Sequence, residues 1–296
     1  MRRLLLSLAA AASILAVAVS PAAAITKNYT PDFDHTFVGL VAFYDANGDF
    51  VHRCTGELLA PTVLLTAGHC TDDGAGGVNT TARVWFQQGA GANYDPATQH
   101  DPVTGYPDEC AAGTLGSLCA ESHVMYNYGF DNFAGFPNTH DVGLVILDQP
   151  ITGLGFATLA SAGTLDPLVN ARGTQDVTFG VSGYGISFAA HKGAVSISFR
   201  VRLQATEKLV NINAPYNAGF NIQLNGNGAD RGGTCSGDSG GPVFYPATSN
   251  QIVAVTSFGK NATCRGDGYY YRTDRQDVID WILAHAGADA GRIVIS

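Results

Sequence analysis

A serine in a glycine-rich stretch is the first candidate for chemistry in this sequence. Ser239 lies in Thr234–Pro242, which reads T-C-S-G-D-S-G-G-P. A serine hydroxyl is a useful nucleophile only beside a base, and the oxyanion formed at an attacked carbonyl needs hydrogen-bond donors. Because glycines leave backbone N–H groups unobstructed, we expect the amides of Gly237 and Ser239 to bind that oxyanion. Taken alone, the stretch also fits an ordinary glycine-rich β-turn, and it is close to the G-x-S-x-G pattern of other hydrolases.

Two histidines have neighbours that suit a catalytic base and its acid. His69 lies in L-T-A-G-H-C, directly after the apolar segment Thr62–Thr66. Its backbone is therefore expected to be held at a strand end, where a base can be positioned accurately. His140 precedes Asp141, and Asp141 begins a strongly apolar segment. A carboxylate at that place can be partly buried and directed at an imidazole.

Residues 1–24 have the pattern of a secretory signal. Arg2 and Arg3 give a charged start, Leu4–Ser20 is apolar, and Ala22-Ala23-Ala24 fits a small-residue cleavage site. The alternative is a membrane anchor, but an alanine-rich run of about 17 residues is short for a span. We expect cleavage after Ala24, a secreted extracellular protein and no stable membrane association.

The charge and composition narrow the function classes. Removing Arg2 and Arg3 changes the formal net charge from −9 to −11, because two positive charges are lost. An acidic chain without a basic run argues against nucleic acid as a partner. Only 14% of residues are charged and 36 are glycine, which favours a turn-rich β protein.

Short apolar segments separated by turn residues predict an all-β sandwich or barrel. The segment with the clearest alternation of apolar and polar residues is Ala194–Leu203. The other predicted strands are Phe37–Tyr44, Thr62–Thr66, Ala82–Gln87, Val142–Leu147, Val177–Ser182 and Ile252–Phe258.

One helix is predicted at the C-terminus. Thr273 and Gln276 have the spacing of a capping box, and Val278, Trp281 and Ile282 then share one face. The helix should pack that face against the body of the protein.

The stretch Asn93–Asn138 is rich in Gly, Pro, Asp and Asn, and we interpret it as a surface insertion. Its acids could hold calcium, but they lack a recognisable ligand spacing, so we favour a solvated loop and expect no metal or other cofactor. The acids considered as calcium ligands are Asp95, Asp101, Asp108 and Glu109.

Six cysteines follow the signal and suggest disulfides. Fifteen pairings are possible in principle. Pairing neighbours gives Cys54–Cys70, Cys110–Cys119 and Cys235–Cys264. A zinc site is the alternative, but the sequence has no C-x-x-C pair, which argues against it.

Three segments, in the order L-T-A-G-H-C, H-D-V-G-L-V-I-L and C-S-G-D-S-G-G-P, resemble the chymotrypsin-like serine peptidases of the trypsin family. The resemblance covers essentially the whole mature chain. It implies two six-stranded antiparallel β-barrels with a short C-terminal helix, with residues 25–160 in the first barrel and 161–296 in the second. By resemblance, Ser239 attacks the carbonyl, His69 moves the proton, and Asp141 orients His69 and stabilises its charged form.

The resemblance also implies a secreted endopeptidase that forms an acyl-enzyme, takes protein or peptide substrates and acts as a monomer. The alternative is a catalytically inactive binding module on the same fold. Cys54–Cys70 then corresponds to the disulfide that holds the histidine loop. Cys235–Cys264 corresponds to the disulfide that ties the nucleophile loop to a wall of the specificity pocket.

The same resemblance places a substrate pocket beside Ser239. Gly233 corresponds to the base of the pocket and carries no charge, which predicts cleavage after a neutral, apolar or aromatic residue. Asp267 is the alternative, since an alignment shift of one residue would place its carboxylate in the pocket and restore a preference for basic residues. The other implied substrate-binding residues are Thr234, Ser257, Phe258, Gly259 and Gly268.

The chain departs from the family at its activation site, because it has no I-V-G-G segment. Cleavage after Ala24 would leave Ile25 as the new N-terminus. We hypothesise that the Ile25 ammonium pairs with Asp238, the acid preceding the nucleophile.

Overall fold

The computed structural model of this chain describes residues 25–90, 118–171, 173–186, 188–189, 196–197, 201–260, 264 and 266–296. Its first strands are β1 (Thr30–Pro31), β2 (Val38–Tyr44), β3 (Phe50–Ala60), β4 (Val63–Thr66), β5 (Thr81–Trp85), β6 (Cys119–Ser122), β7 (Val124–Asn127) and β8 (Gly143–Ile146). They are followed by β9 (Thr158–Leu159), β10 (Thr178–Gly183), β11 (Phe188–Ala189), β12 (Ser196–Ile197), β13 (Leu203–Asn211), β14 (Asn221–Asn225), β15 (Pro242–Phe244), β16 (Gln251–Gly259) and β17 (Asp267–Arg272).

Helices are few among the described residues. The longest is α3 (Gln276–His285), and α1 (Gly68–Thr71) and α2 (Asp166–Val169) are single turns. Two 3₁₀ helices cover Thr174–Asp176 and Gly287–Arg292. The protein is therefore mostly β, as the sequence predicts.

The first sheet has the strand order β6-β5-β2-β3-β4-β8-β7, and all its neighbours are antiparallel. Only His123 separates its two edge strands, β6 and β7, so the chain itself joins the two edges. The Ser122 hydroxyl donates to the Ile146 carbonyl at 2.7 Å and accepts the Val124 amide at 3.2 Å, which holds this bend. The sheet has seven strands rather than the expected six because residues 119–127 are divided at His123 into two strands, β6 and β7.

The second sheet closes on itself. Strands follow the order β13-β10-β15-β16-β17-β14, and β14 pairs again with β13, which gives a closed six-stranded antiparallel barrel. The short strand β1 adds to β13, and β9 pairs in parallel with β16. The predicted six-stranded barrel is confirmed here.

The segment before the first sheet packs against the second sheet, and the helix after the second sheet packs against the first. Ile25 packs in the apolar cluster of the second sheet, whereas Val278 and Ile282 of α3 pack in the cluster centred on the first sheet. The domain boundary between residues 160 and 161 stays a prediction.

A buried arginine joins the sheets at their interface. Arg202 donates from NH1 to the carbonyls of Val38 and Phe86, each at 3.0 Å, and from Nε to the Asp32 carbonyl at 3.1 Å. Its NH1 also contacts the Tyr184 hydroxyl at 3.2 Å. One guanidinium group therefore supplies hydrogen-bond donors to three buried backbone carbonyls.

Two local predictions were wrong. Thr273 does not cap α3, because the N-cap residue is Arg275 and makes no side-chain cap hydrogen bond. Part of the predicted insertion, residues 119–127, forms β6 and β7, because the neighbouring strands β5 and β8 supply backbone partners. Residues 91–117, including the candidate calcium ligands, lie outside the described residues, as do residues 194, 195 and 198–200 of the predicted strand Ala194–Leu203.

Candidate active site

His69 and Asp141 form a hydrogen-bonded pair. His69 lies in the single-turn helix α1 directly after β4, and Asp141 lies just before β8, the strand that pairs with β4. His69 Nδ1–H donates to Asp141 Oδ2 at 2.9 Å, and the His69 backbone N–H donates to Asp141 Oδ1 at 2.7 Å. Two adjacent strand ends therefore fix both the ring and the backbone of the histidine.

Asp141 is fully buried, and a third residue helps to stabilise its charge. The hydroxyl of Ser257, on β16 of the second sheet, donates to Asp141 Oδ2. Burial raises the pKa of Asp141, but the charge and hydrogen bond of His69 and the Ser257 hydroxyl reverse this, so the pKa lies below its ordinary value. The carboxylate is therefore ionised at neutral pH.

His69 is correspondingly basic. Burial lowers the pKa of its imidazole, but the charge of Asp141 and the hydrogen bond to it raise the pKa more, so the net shift is upward. The Phe130 ring lies beside it, with 5.9 Å between ring centroids. This setting suits a base that becomes charged during a reaction.

The loop that carries Ser239 is fastened to the first sheet by Thr55. The Thr55 backbone N–H donates to the Ser239 carbonyl at 2.8 Å, and its hydroxyl donates to the Gly237 carbonyl at 2.9 Å. Gly240 has a φ of +77°, and a Cβ there would lie 2.0 Å from the Thr66 hydroxyl. Only glycine fits this approach, which explains the glycine after the serine.

The predicted oxyanion donors are in suitable surroundings. Gly237 has a φ of +96°, a conformation that favours glycine. Within the described part of the chain, no acceptor takes the amide N–H of Gly237 or Ser239. Both donors are therefore uncommitted beside the candidate nucleophile.

Two cavities meet at Ser257. One, which we call the pocket, has a volume of about 370 Å³ and is lined by Ser239, whereas the other, the histidine cavity, is lined by His69. Ser257 lines both. No hydrogen bond joins the Ser239 hydroxyl to the His69 ring among the described residues. Catalytic hydrogen bonds are often long without substrate, so this arrangement is compatible with a nucleophile and its base.

The pocket contains the whole predicted substrate-binding set. Its lining includes Gly233, Thr234, Ser257, Phe258, Gly259 and Gly268. Gly259 and Gly268 are register partners on β16 and β17, and a Cβ on Gly268 would lie 2.4 Å from the Tyr270 hydroxyl. A Cβ added at Gly233 would meet nothing closer than 3.6 Å, so the pocket lining has open space there.

Asp267 lines the same pocket, but its carboxylate is already bound. Its two oxygens accept hydrogen bonds from the side-chain amides of Gln223 and Asn225, each at 2.6 Å. Sequence reasoning missed a second acid in the pocket lining, Glu207 on β13. Glu207 falls in register with the apolar Leu203, Ala205 and Leu209, which alternate with polar residues, and this period of two is a signal that could have placed it inside the barrel.

Two of the expected disulfides are present. Cys54–Cys70 joins β3 to the histidine helix, and Cys235–Cys264 joins the nucleophile loop to the segment before β17. Cys119 is also disulfide-bonded, but its expected partner Cys110 lies outside the described residues.

Asp238 is buried behind the nucleophile. The backbone N–H groups of Gly185 and Cys235 donate to its carboxylate at 2.7 and 2.8 Å. Burial raises the pKa of Asp238 to about 7, although these two bonds and the charge of Arg53 oppose the rise. Nearby, the Thr26 and Gly233 backbones form an antiparallel bridge, which brings the residue after Ile25 beside the pocket lining.

The described residues offer one compact group of metal-ligating types, Cys54, His69 and Cys70. Its two cysteines are joined in a disulfide, so they present no thiolate to an ion. No helix among the described residues has the length and apolar content needed to cross a bilayer.

Sequence relatives are serine proteases. The chain is 27% identical over 266 residues to CLIP domain-containing serine protease B10 of Anopheles gambiae, covering 87% of this chain and 68% of the relative. It is also 27% identical over 244 residues to brachyurin of Leptuca pugilator, covering 81% of this chain and 90% of the relative.

Solved structures share the fold. The chain is similar to HL collagenase with a TM-score of 0.59 at 17% identity, covering 86% of this chain and 94% of that one. It is also similar to human heparin binding protein with a TM-score of 0.54 at 19% identity, covering 85% and 91%. The family model described as Trypsin matches residues 33–282. The chain therefore belongs to the trypsin family of serine proteases.

Proposed function

We propose that this chain is a secreted serine endopeptidase whose catalytic residues are Ser239, His69 and Asp141. The observation that carries the proposal is the bonding of His69, whose ring and backbone both donate to the buried Asp141 carboxylate. This bonding supports the tautomer in which Nε2 is free to accept a proton.

The proposed reaction has two steps. The Ser239 hydroxyl oxygen attacks the carbonyl carbon of the scissile peptide bond, and His69 accepts the hydroxyl proton. The N–H groups of Gly237 and Ser239 bind the oxyanion, and His69 then protonates the leaving amine, so the peptide C–N bond breaks and an acyl-enzyme remains. Water, deprotonated by His69, attacks the ester carbonyl, and the Ser239 oxygen leaves with a proton from His69.

Covalent labelling tests the assignment. An organophosphonate probe should label the protein, and Ser239→Ala should abolish labelling and lower turnover by roughly a millionfold. Ser236→Ala is the matched control, because Ser236 lies in the same loop and lines the same pocket, and this variant should still be labelled. Absence of labelling in the folded wild type would instead favour the inactive binding module.

The proposed preference is for a neutral, apolar or aromatic residue before the scissile bond. Gly233 supports it, since no side chain at this position brings charge into the open base of the pocket. Peptide substrates ending in Phe, Ala or Arg before the scissile bond test it by their kcat/KM values at mildly acidic and neutral pH. Dominant cleavage after Arg under all these conditions would contradict it.

Secretion and activation belong to the same proposal. We expect a secreting host to release a protein that begins at Ile25, with the new ammonium paired to Asp238. N-terminal sequencing of the secreted protein tests the cleavage site, and a start at any other residue would contradict it.

A further inference from the structure

The pocket contains a carboxylate that the proposed mechanism does not use. Glu207 lies on β13, opposite Phe179 of β10, and is only 1% exposed. Its Oε1 accepts the Thr234 backbone N–H at 3.2 Å and the Tyr270 hydroxyl at 2.7 Å. Its Oε2 is buried and has no hydrogen-bond partner among the described residues. A buried polar atom without a partner is costly and needs an explanation.

Bonding around Glu207 connects it to the pocket lining. Because the Tyr270 hydroxyl donates to Glu207, it accepts from the Thr234 hydroxyl, whose oxygen is 2.9 Å away. Thr234, Tyr270 and Glu207 all line the pocket. They hold the carboxylate at one side of a cavity whose base, at Gly233, carries no side chain.

The other charged groups of the pocket already have partners. Both carboxylate oxygens of Asp267 accept amide donors from β14. The Lys260 ammonium lies over the rings of Tyr216 and Tyr269, at 3.9 and 4.7 Å from their centroids. Within the described pocket lining, the unpartnered carboxylate oxygen is therefore that of Glu207.

The charge state of Glu207 changes near neutral pH. Burial raises its pKa to about 7, partly opposed by the hydrogen bonds from Tyr270 and Thr234, and the charges of Asp238 and Asp267 raise it further. The groups that act on it are thus acidic or neutral, and no cation of the described residues is among them. The Glu207 side chain is therefore neutral at pH values below its pKa and negatively charged at pH values above it.

We propose that Glu207 is a specificity-determining residue, whose ionised carboxylate receives the cationic end of a Lys or Arg side chain preceding the scissile bond. Its protonated form leaves the pocket to neutral residues. The pocket thus adds basic substrates to the neutral ones as pH rises. This inference rests on the proposed peptidase function.

A pair of matched substrates tests the charge directly. Citrulline has nearly the shape of arginine but no charge, so two peptides that differ only in Arg or citrulline before the scissile bond report on the pocket charge. The ratio of their kcat/KM values cancels the titration of His69, which affects both equally. In the wild type, this ratio should rise by about tenfold or more between about pH 5.5 and about pH 8.5.

Variants assign the effect to its source. In Glu207→Gln, which keeps the shape and an acceptor oxygen, the ratio should be low and nearly independent of pH. In Asp267→Asn, the rise should persist. A flat ratio in the wild type, or a rise that persists in Glu207→Gln, would overturn the proposal, and loss of the rise in Asp267→Asn alone would assign it to Asp267.

Failure of the peptidase function itself would look different. It would give no cleavage of either peptide at any pH and no phosphonate labelling of Ser239. Labelling of Glu207→Gln by the same probe confirms that this variant is folded, so a flat ratio in it reports on charge and not on misfolding.

Discussion

The Ser257 hydroxyl donates a hydrogen bond to the Asp141 carboxylate, so a residue of the second sheet stabilises an acid held by the first. Ser257→Ala removes one donor from a fully buried carboxylate, and hydrogen bonds to charged groups are stronger than neutral ones. We expect kcat/KM to fall by about tenfold or more. Steady-state kinetics on one peptide substrate measures this, with Ser257→Thr as the control that keeps a hydroxyl. An unchanged rate in Ser257→Ala would contradict it.

The pH dependence should follow His69, which must be neutral to accept a proton. Burial lowers its pKa, but the Asp141 charge and hydrogen bond raise it above the ordinary 6.5, so activity should decline with falling pH around a midpoint above 6.5. A pH profile of kcat/KM on a Phe-ended substrate measures the midpoint. In Asp141→Asn, an NMR titration should give a lower His69 pKa, and an unchanged pKa would contradict the assigned cause.

The start at Ile25 should change the pH dependence of stability. In a chain extended before Ile25, the Asp238 pKa is raised by burial to about 7 against an ordinary 3.8. A carboxyl whose pKa is raised on folding stabilises the protein below the unfolded pKa, and this stabilisation is lost as pH rises through about 7. The loss is at most about 4 kcal/mol. In a protein that begins at Ile25, the paired ammonium would lower the pKa of Asp238 and reduce this loss of stability.

Thermal unfolding of two forms of the protein tests this pH dependence. One form begins at Ile25, and the other has two extra alanines before Ile25. Both carry Ser239→Ala to prevent self-digestion. Their thermal midpoints should diverge as pH rises from about 4 to about 8, with the extended form less stable. Asp238→Asn should remove the divergence. Parallel curves for the two forms would refute the pairing, and a divergence that persists in Asp238→Asn would assign another partner to the ammonium.

Arg202 is expected to be important for stability. Its buried guanidinium donates to carbonyls of Asp32, Val38 and Phe86. Arg202→Met removes a donor from each of these carbonyls and the cation that lies 3.9 Å from the buried Asp32 carboxylate, and should lower the free energy of unfolding by about 3 to 5 kcal/mol. Urea unfolding measures this. Arg292→Met is the control, since the Arg292 side chain is 60% exposed and its ion pair should contribute less than about 1 kcal/mol.

Much of the strand pattern was predictable, because apolar segments between turn residues are local signals. The predicted Phe37–Tyr44 and Ile252–Phe258 correspond to β2 and β16 within one residue at each end. The edge strands β6 and β7 were missed because they are held by backbone pairing with β5 and β8, and a local sequence pattern does not reveal such partners. The capping prediction failed because Thr273 still follows β17, with its N–H bonded to the Val253 carbonyl.

Individual residues of the site were predictable where their motifs are local. The His69 and Asp141 motifs each lie at a strand end, and the structure brings the two side chains together. Ser257 was predicted in the pocket, but its hydrogen bond to Asp141 and the place of Glu207 in the pocket lining were not, because both depend on contacts between elements far apart in the chain. Local composition also makes an acid in a strand look solvated, whereas Glu207 is buried by the closure of the barrel.

Phe258 forms an aromatic wall of the pocket, stacked on Tyr269 at 4.6 Å and in edge contact with Phe133 and Phe136. The chain has two tryptophans, Trp85 in the first sheet and Trp281 on α3. Neither is among the described residues that line the pocket or the histidine cavity. The native tryptophan fluorescence is therefore insensitive to direct contact with ligands there, and Phe258→Trp would provide a spectroscopic reporter at the site of binding.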